Sequence, residues 1–276
     1  MGDYDDLDLV EEPEERPARR RDSKIDEAKA TLRSFFAERP DEVFYGRQIE
    51  VLLEKKFFHW ISTKALRELL EEGEILSERF PLQEGSTIRF CFSRRNRYWK
   101  RRADQVRKLV LQYSRPEFGR ALGRHGETMF DAALPTVGFL PQAKKVRRYQ
   151  EKVWDFTQHD LDRVFVRDGI PYGTEIKNTL EYIDKKELDT KLLMCRWLGL
   201  RPFFIVRQAP KHYVELVPRA GGFTLIFDWQ LYPHGALALA QLVRRELGLP
   251  VDSPAAIAEG TVKRLLNWHL KQLAGP

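Results

Sequence analysis

Cysteine is nearly absent. The 276 residues hold only Cys91 and Cys195, 104 positions apart. That excludes a disulfide framework and a cysteine zinc site, and it makes a reducing cytoplasm the expected compartment. Long apolar runs are missing too. The longest uncharged stretch near the C-terminus, Trp229–Val243, is broken by Pro233 and His234 and is too short to span a bilayer. The N-terminus is acidic, unlike a secretory signal. The histidines lack metal-ligand spacing, and no P-loop or GxGxxG fingerprint is present.

Charge is abundant. Lys and Arg outnumber Asp and Glu by 47 to 41, for a net charge of +6. Residues 1–22 carry −5, so residues 23–276 carry +11. A basic body behind an acidic leader points to a polyanionic partner, nucleic acid rather than a membrane. The leader itself reads as disordered.

Helical periodicity predicts three helices from Ser23 onward. The first has a capping box at Ser23–Asp26 and stops at Pro40. The second follows Gly46. The third starts near Ser62 or Thr63 and ends at Gly73. The period then changes to two. Ile75–Phe80 and Ile88–Phe92 predict a hairpin around a turn at Pro81–Ser86. Three helices and a hairpin are the order of a winged helix-turn-helix, expected over 23–93. Its third helix would present Lys64 and Arg67 to DNA.

Residues 94–113 predict a basic linker helix. Arg94, Arg95, Arg97, Lys100 and Arg101 would neutralise phosphates, with Tyr98 and Trp99 between them. Lys144, Lys145, Arg147 and Arg148 form a second basic cluster. A last domain is expected over 114–276. It opens with a capping box at Ser114–Glu117, and its helix is stopped by Pro135. Short strands follow at 161–166 and 172–178, joined by an Asp168-Gly169 turn. A helix is expected over 186–198 and a buried strand over 203–206. Edge strands are expected at 214–217 and 223–227, then helices over 235–272 split by Pro250 and Pro254.

The sharpest chemical feature is Thr174-Glu175-Ile176-Lys177. On a strand, Glu175 and Lys177 share one face and Ile176 takes the other. The hairpin through Asp168-Gly169 would bring Asp162 beside Glu175. Two close carboxylates repel, and a hard divalent cation relieves that repulsion. Asp160 competes with Asp162 for the role.

These residues, from His159-Asp-Leu-Asp162 through Glu175-Ile-Lys-Asn178, resemble the PD-(D/E)xK nuclease superfamily. Leu161 stands where the proline of that name would be. The resemblance implies an α/β restriction-endonuclease-like mixed sheet flanked by helices. It implies hydrolysis of phosphodiester bonds, in DNA rather than RNA and by an endonuclease rather than an exonuclease. Mg²⁺, or Mn²⁺ in its place, would be held by Asp162 and Glu175. Glu127 would complete the coordination or hold a metal-bound water, and Lys177 would orient the attacking water or help deprotonate it. The domain order resembles Mrr-type restriction endonucleases. The competing expectation is a non-catalytic winged-helix DNA-binding protein or a docking subunit. A homodimer or larger complex fits two-strand cleavage.

Overall fold

The computed structural model describes residues 22–82 and 87–274. The expected acidic leader, Asp22 apart, lies outside them, as does most of the Pro81–Ser86 turn. The chain is α/β and divides into two compact units. The first comprises residues up to Arg115 together with Leu242–Leu249, and the second holds the rest.

The first unit begins with α1 (Ser23–Glu38), capped by Asp22, whose carboxylate accepts from the Lys24 amide at 3.0 Å. The cap is therefore one residue earlier than the expected Ser23. Next come β1 (Val43–Tyr45), α2 (Gly46–Leu53) and α3 (His59–Glu71). The third helix starts before the expected Ser62. Phe58 is extended at its N-cap, and the Thr63 hydroxyl is used inside the helix, donating to the His59 carbonyl at 2.9 Å. Strands β2 (Ile75–Pro81) and β3 (Thr87–Ser93) pair antiparallel, and β1 closes the sheet in the order β1-β3-β2. Helices and sheet enclose Ile25, Leu32, Phe36, Phe44, Ile49, Phe57, Leu69 and Ile75.

The expected linker helix is no free connector. Its helical part, α4 (Trp99–Tyr113), buries Ala103, Val106, Leu109 and Val110, and Trp99 stacks on Phe92 at 4.4 Å. Arg94, Arg95 and Arg97 lie in exposed turns before it. Ser114 closes this helix rather than opening the next.

The second unit opens with α5 (Pro116–Ala133). Edge strand β4 (Leu140–Val146) follows, then a minor hairpin of β5 (Arg148–Tyr149) and β6 (Lys152–Val153). The main strands are β7 (Leu161–Arg167) and β8 (Ile170–Lys177); helix α6 (Lys185–Leu198) leads to β9 (Arg201–Val206). Next come α7 (Lys211–Arg219), β10 (Phe223–Ile226) and β11 (Gln230–Leu231). Helix α8 (Leu237–Leu247), whose last residues from Leu242 belong to the first unit, is followed by β12 (Val251–Asp252) and α9 (Glu259–Leu273) of the second. The principal sheet runs β10-β9-β8-β7-β4. β4, β7 and β8 are antiparallel, whereas β8, β9 and β10 are parallel.

Two expectations fail here. Residues 214–217 are helical, within α7, because Tyr213, Leu216 and Val217 follow helical spacing and bury one face against Ile183, Leu188, Phe204 and Val206. The C-terminal segment is also not helical throughout: Val251–Asp252 pairs in parallel with Gln230–Leu231. One sheet face packs Phe165, Tyr172, Ile176, Phe203 and Ile205 with Phe130 of α5 and Leu265 of α9. The other packs Val164 with Met194, Cys195 and Leu198 of α6.

Candidate active site

The hairpin between β7 and β8 builds the site. Asp168 and Gly169 both adopt positive φ, 48° and 72°, and the pairing of Arg167 with Ile170 follows. This two-residue turn matches the strands' twist. It fixes a register in which Arg163 faces Thr174, so Asp162 and Glu175 come next to each other. Asp162 Oδ2 accepts a hydrogen bond from the Ile176 amide at 2.7 Å. Strand alternation sends Ile176 into the α5–α9 core, while Glu175 and Lys177 take the face toward α6.

Glu175 is buried, at 1% exposure. Its Oε1 lies 3.0 Å from Lys177 Nζ and its Oε2 lies 2.6 Å from Lys191 Nζ. Lys191, itself 4% exposed, also donates to the Asp160 carbonyl. Lys177 reaches Glu187 at 2.7 Å. Burial works against the Lys177 charge, but Glu175 and Glu187 outweigh it and hold the ammonium above its ordinary pKa. For Asp162, burial and then the Glu175 charge raise the carboxyl to about 7. Asp160 precedes the strand and contributes its carbonyl, so Asp162 is the carboxylate that meets Glu175.

Glu127 meets this group only through Arg163, whose Nη1 donates to the Asp162 carbonyl at 2.7 Å. Glu127 lies on α5, and its carboxylate pairs with Arg163 at 2.8 Å. Arg163 is buried and also holds Asp131 at 2.9 Å. Strand alternation turns Arg163 to the face opposite Asp162. The expected three-carboxylate cluster therefore does not form. Among the described residues, no three His, Cys, Asp or Glu side chains converge as metal ligands.

Of the basic residues singled out by sequence, Lys64 and Arg67 are exposed on α3. Arg94, Arg95, Arg97, Lys100 and Arg101 are exposed, with Lys100 over the Trp99 ring at 5.5 Å. Lys144 pairs with Asp131 at 3.0 Å. Arg147 is a structural clamp, donating to the Thr157 carbonyl at 2.9 Å and to Gln158. Lys145 and Arg148 remain exposed.

Lys191 and Glu187 escaped the sequence reading. The signal for Lys191 was present: it interrupts the buried stripe Leu188, Cys195 and Leu198 of α6. A lysine in an apolar stripe needs a buried partner.

Asp162 and Glu175 are the donors the site offers a hard cation, and a cation there would have to displace Lys177 or Lys191, which already hold the two Glu175 oxygens. Two adjacent carboxylates repel, which together with burial raises the Asp162 carboxyl, and a dication relieves that repulsion. Glu127 does not fit that set, since Arg163 already holds it. Comparison with family models, curated proteins and solved structures returned no match. Among the described residues, no helix is long and apolar enough to cross a membrane.

Proposed function

We propose that this chain is a divalent-cation-dependent nuclease that hydrolyses phosphodiester bonds in DNA, with Asp162, Glu175 and Lys177 as its working residues. The observation that carries the reading is the buried Glu175 carboxylate, 3.0 Å from Lys177 and beside Asp162, which the Ile176 amide holds at 2.7 Å. The topology supports it. One helix, an antiparallel three-strand meander, a crossover helix and a parallel fourth strand run from α5 to β9, the order expected of a restriction-endonuclease-like core. The α1-β1-α2-α3-β2-β3 order of the first unit likewise supports a winged helix, with Lys64 and Arg67 outward.

Asp162 and Glu175 would hold Mg²⁺ or Mn²⁺. When bound, the cation supplies positive charge at the phosphate and acidifies a coordinated water. Lys177 has a narrower part than the sequence implied. An ammonium held above its ordinary pKa takes no proton at neutral pH, so it orients the water and offsets developing negative charge. Lys191 fixes Glu175 through one oxygen and holds the Asp160 main chain.

One observation favours a second reading, a DNA-binding protein without catalysis. Lys177 and Lys191 already neutralise both Glu175 oxygens.

Incubation with plasmid, linear and branched DNA and with RNA, in Mg²⁺, Mn²⁺ or EDTA, separates the two. The nuclease reading requires cation-dependent cleavage of DNA that Lys177→Ala abolishes. Cleavage that persists in EDTA overturns the mechanism, and tight binding without cleavage of any substrate selects the second reading.

A further inference from the structure

The loop before β7 holds an aromatic side chain out to solvent. Phe156 is 61% exposed, yet it is no loose ring. It meets the buried Trp154 at 5.0 Å and Trp197 of α6 at 4.9 Å, both at steep interplanar angles. Trp197 is itself 46% exposed. The scaffold beneath them is tied down. The Trp154 amide donates to the Arg147 carbonyl at 2.7 Å, and its indole N–H donates to Thr157 Oγ1 at 3.0 Å. Arg147 Nη2 donates to the Thr157 carbonyl at 2.9 Å, and Trp197 Nε1 to the Val153 carbonyl at 2.7 Å. Exposed phenyl surface gains nothing on folding. A ring already fixed in place loses little entropy when a ligand covers it.

Position and charge select the ligand. α6 carries both Trp197 and Lys191, separated by roughly 9 Å of helix rise. Lys191 in turn holds Glu175 and the Asp160 carbonyl, four residues along the chain from Phe156. Lys145, Arg148 and Lys152 are exposed on the neighbouring β4–β6 segment, and Arg196 precedes Trp197. Glu151 and Asp155 offset only part of that charge. Val153 and Leu193 are exposed beside the rings, and it is the basic side chains around them that favour a base and its phosphate over a purely apolar partner surface.

We infer that Phe156, flanked by Trp197, is a stacking platform for an unpaired base, so that single-stranded or frayed DNA is the strand led to Asp162 and Glu175. This rests on the nuclease reading for the class of partner. A base paired inside a duplex offers no open face to such a ring, so the platform discriminates between strand forms.

Fluorescence anisotropy in EDTA tests it without catalysis, using a labelled oligothymidylate strand and a labelled duplex with the wild-type chain, Phe156→Ala, Phe156→Leu and Phe156→Tyr. Stacking predicts that Ala and Leu each lose about tenfold affinity for the single strand. Tyr keeps that affinity, and duplex affinity stays unchanged throughout. Wild-type affinity in Phe156→Ala, retention by Leu, or equal losses on both probes overturns the platform and leaves the nuclease reading standing. A dimer in light scattering that Phe156→Ala dissolves also overturns it, assigning the patch to a second copy of the chain. Failure of the wild type to bind or cut either form sinks both readings.

Discussion

The Lys191 ammonium lies 2.6 Å from Glu175 Oε2, and both side chains are buried. With its second bond to the Asp160 carbonyl, Lys191 joins α6 to the end of β8 and the approach to β7. Removing one member of a buried ion pair strands the other. Lys191→Met is therefore expected to destabilise the fold by about 3 kcal/mol in urea unfolding. The double variant Lys191→Met, Glu175→Gln is expected to recover part of that loss. An unchanged unfolding midpoint in Lys191→Met would contradict the pair's structural role.

Asp162 gives the site a pH dependence. Its folded pKa of about 7 lies above the ordinary value of 3.8, so the folded chain holds a proton that the unfolded chain releases. Its contribution to stability is complete below the unfolded value. The contribution falls as pH rises toward 7 and stays flat above that. Asp162→Asn, which keeps an oxygen for the Ile176 amide, is expected to remove this decline between pH 4 and pH 7. Chemical denaturation of both proteins across that range checks it. Proton and cation compete for the same oxygen, so Mn²⁺ affinity measured by calorimetry is expected to rise from about pH 6 to pH 8.

Arg163 and Glu127 separate architecture from chemistry. Glu127→Gln keeps a hydrogen-bond acceptor for Arg163 and is expected to cost about 1 kcal/mol while leaving DNA cleavage intact. Glu175→Gln is expected to abolish cleavage. Arg163→Met leaves Asp131 and Glu127 without their shared cation and is expected to cost about 3 kcal/mol. Loss of cleavage in a stably folded Glu127→Gln would return Glu127 to the site.

Gly173 tests the packing behind Glu175. A Cβ there would meet Cys195 Sγ at 2.8 Å and Leu161 Cδ1 at 2.9 Å. Gly173→Ala is expected to lower stability by about 1–3 kcal/mol through overpacking. Gly123→Ala on α5 meets nothing within 4 Å and is expected to raise stability by about 0.5–1 kcal/mol through helix propensity. Thermal unfolding of the two variants shows whether their effects have opposite signs.

The hairpin carrying the site was legible because its signals are local. Asp168-Gly169 demands a positive-φ turn, and the alternation of Glu175, Ile176 and Lys177 sets the two faces. The helix over 211–219 was not legible. Val214 and Val217 suit either a strand or a helix, and only the apolar surface waiting at Phe204 and Val206 chose between them. Glu127 was misplaced for a related reason. Its spacing along the chain matched a ligand, but spacing does not reveal that Arg163 stands nearer.

Composition and periodicity alone determined a basic chain of helices and short strands with Asp162, Glu175 and Lys177 drawn toward one hairpin, because charge, turn chemistry and strand alternation act between near neighbours in sequence. The tertiary structure decided which charges neutralise one another. Lys191 reaches Glu175 across 16 positions and Arg163 reaches Glu127 across 36. An ion pair depends on distance in space and on burial, and chain order carries neither.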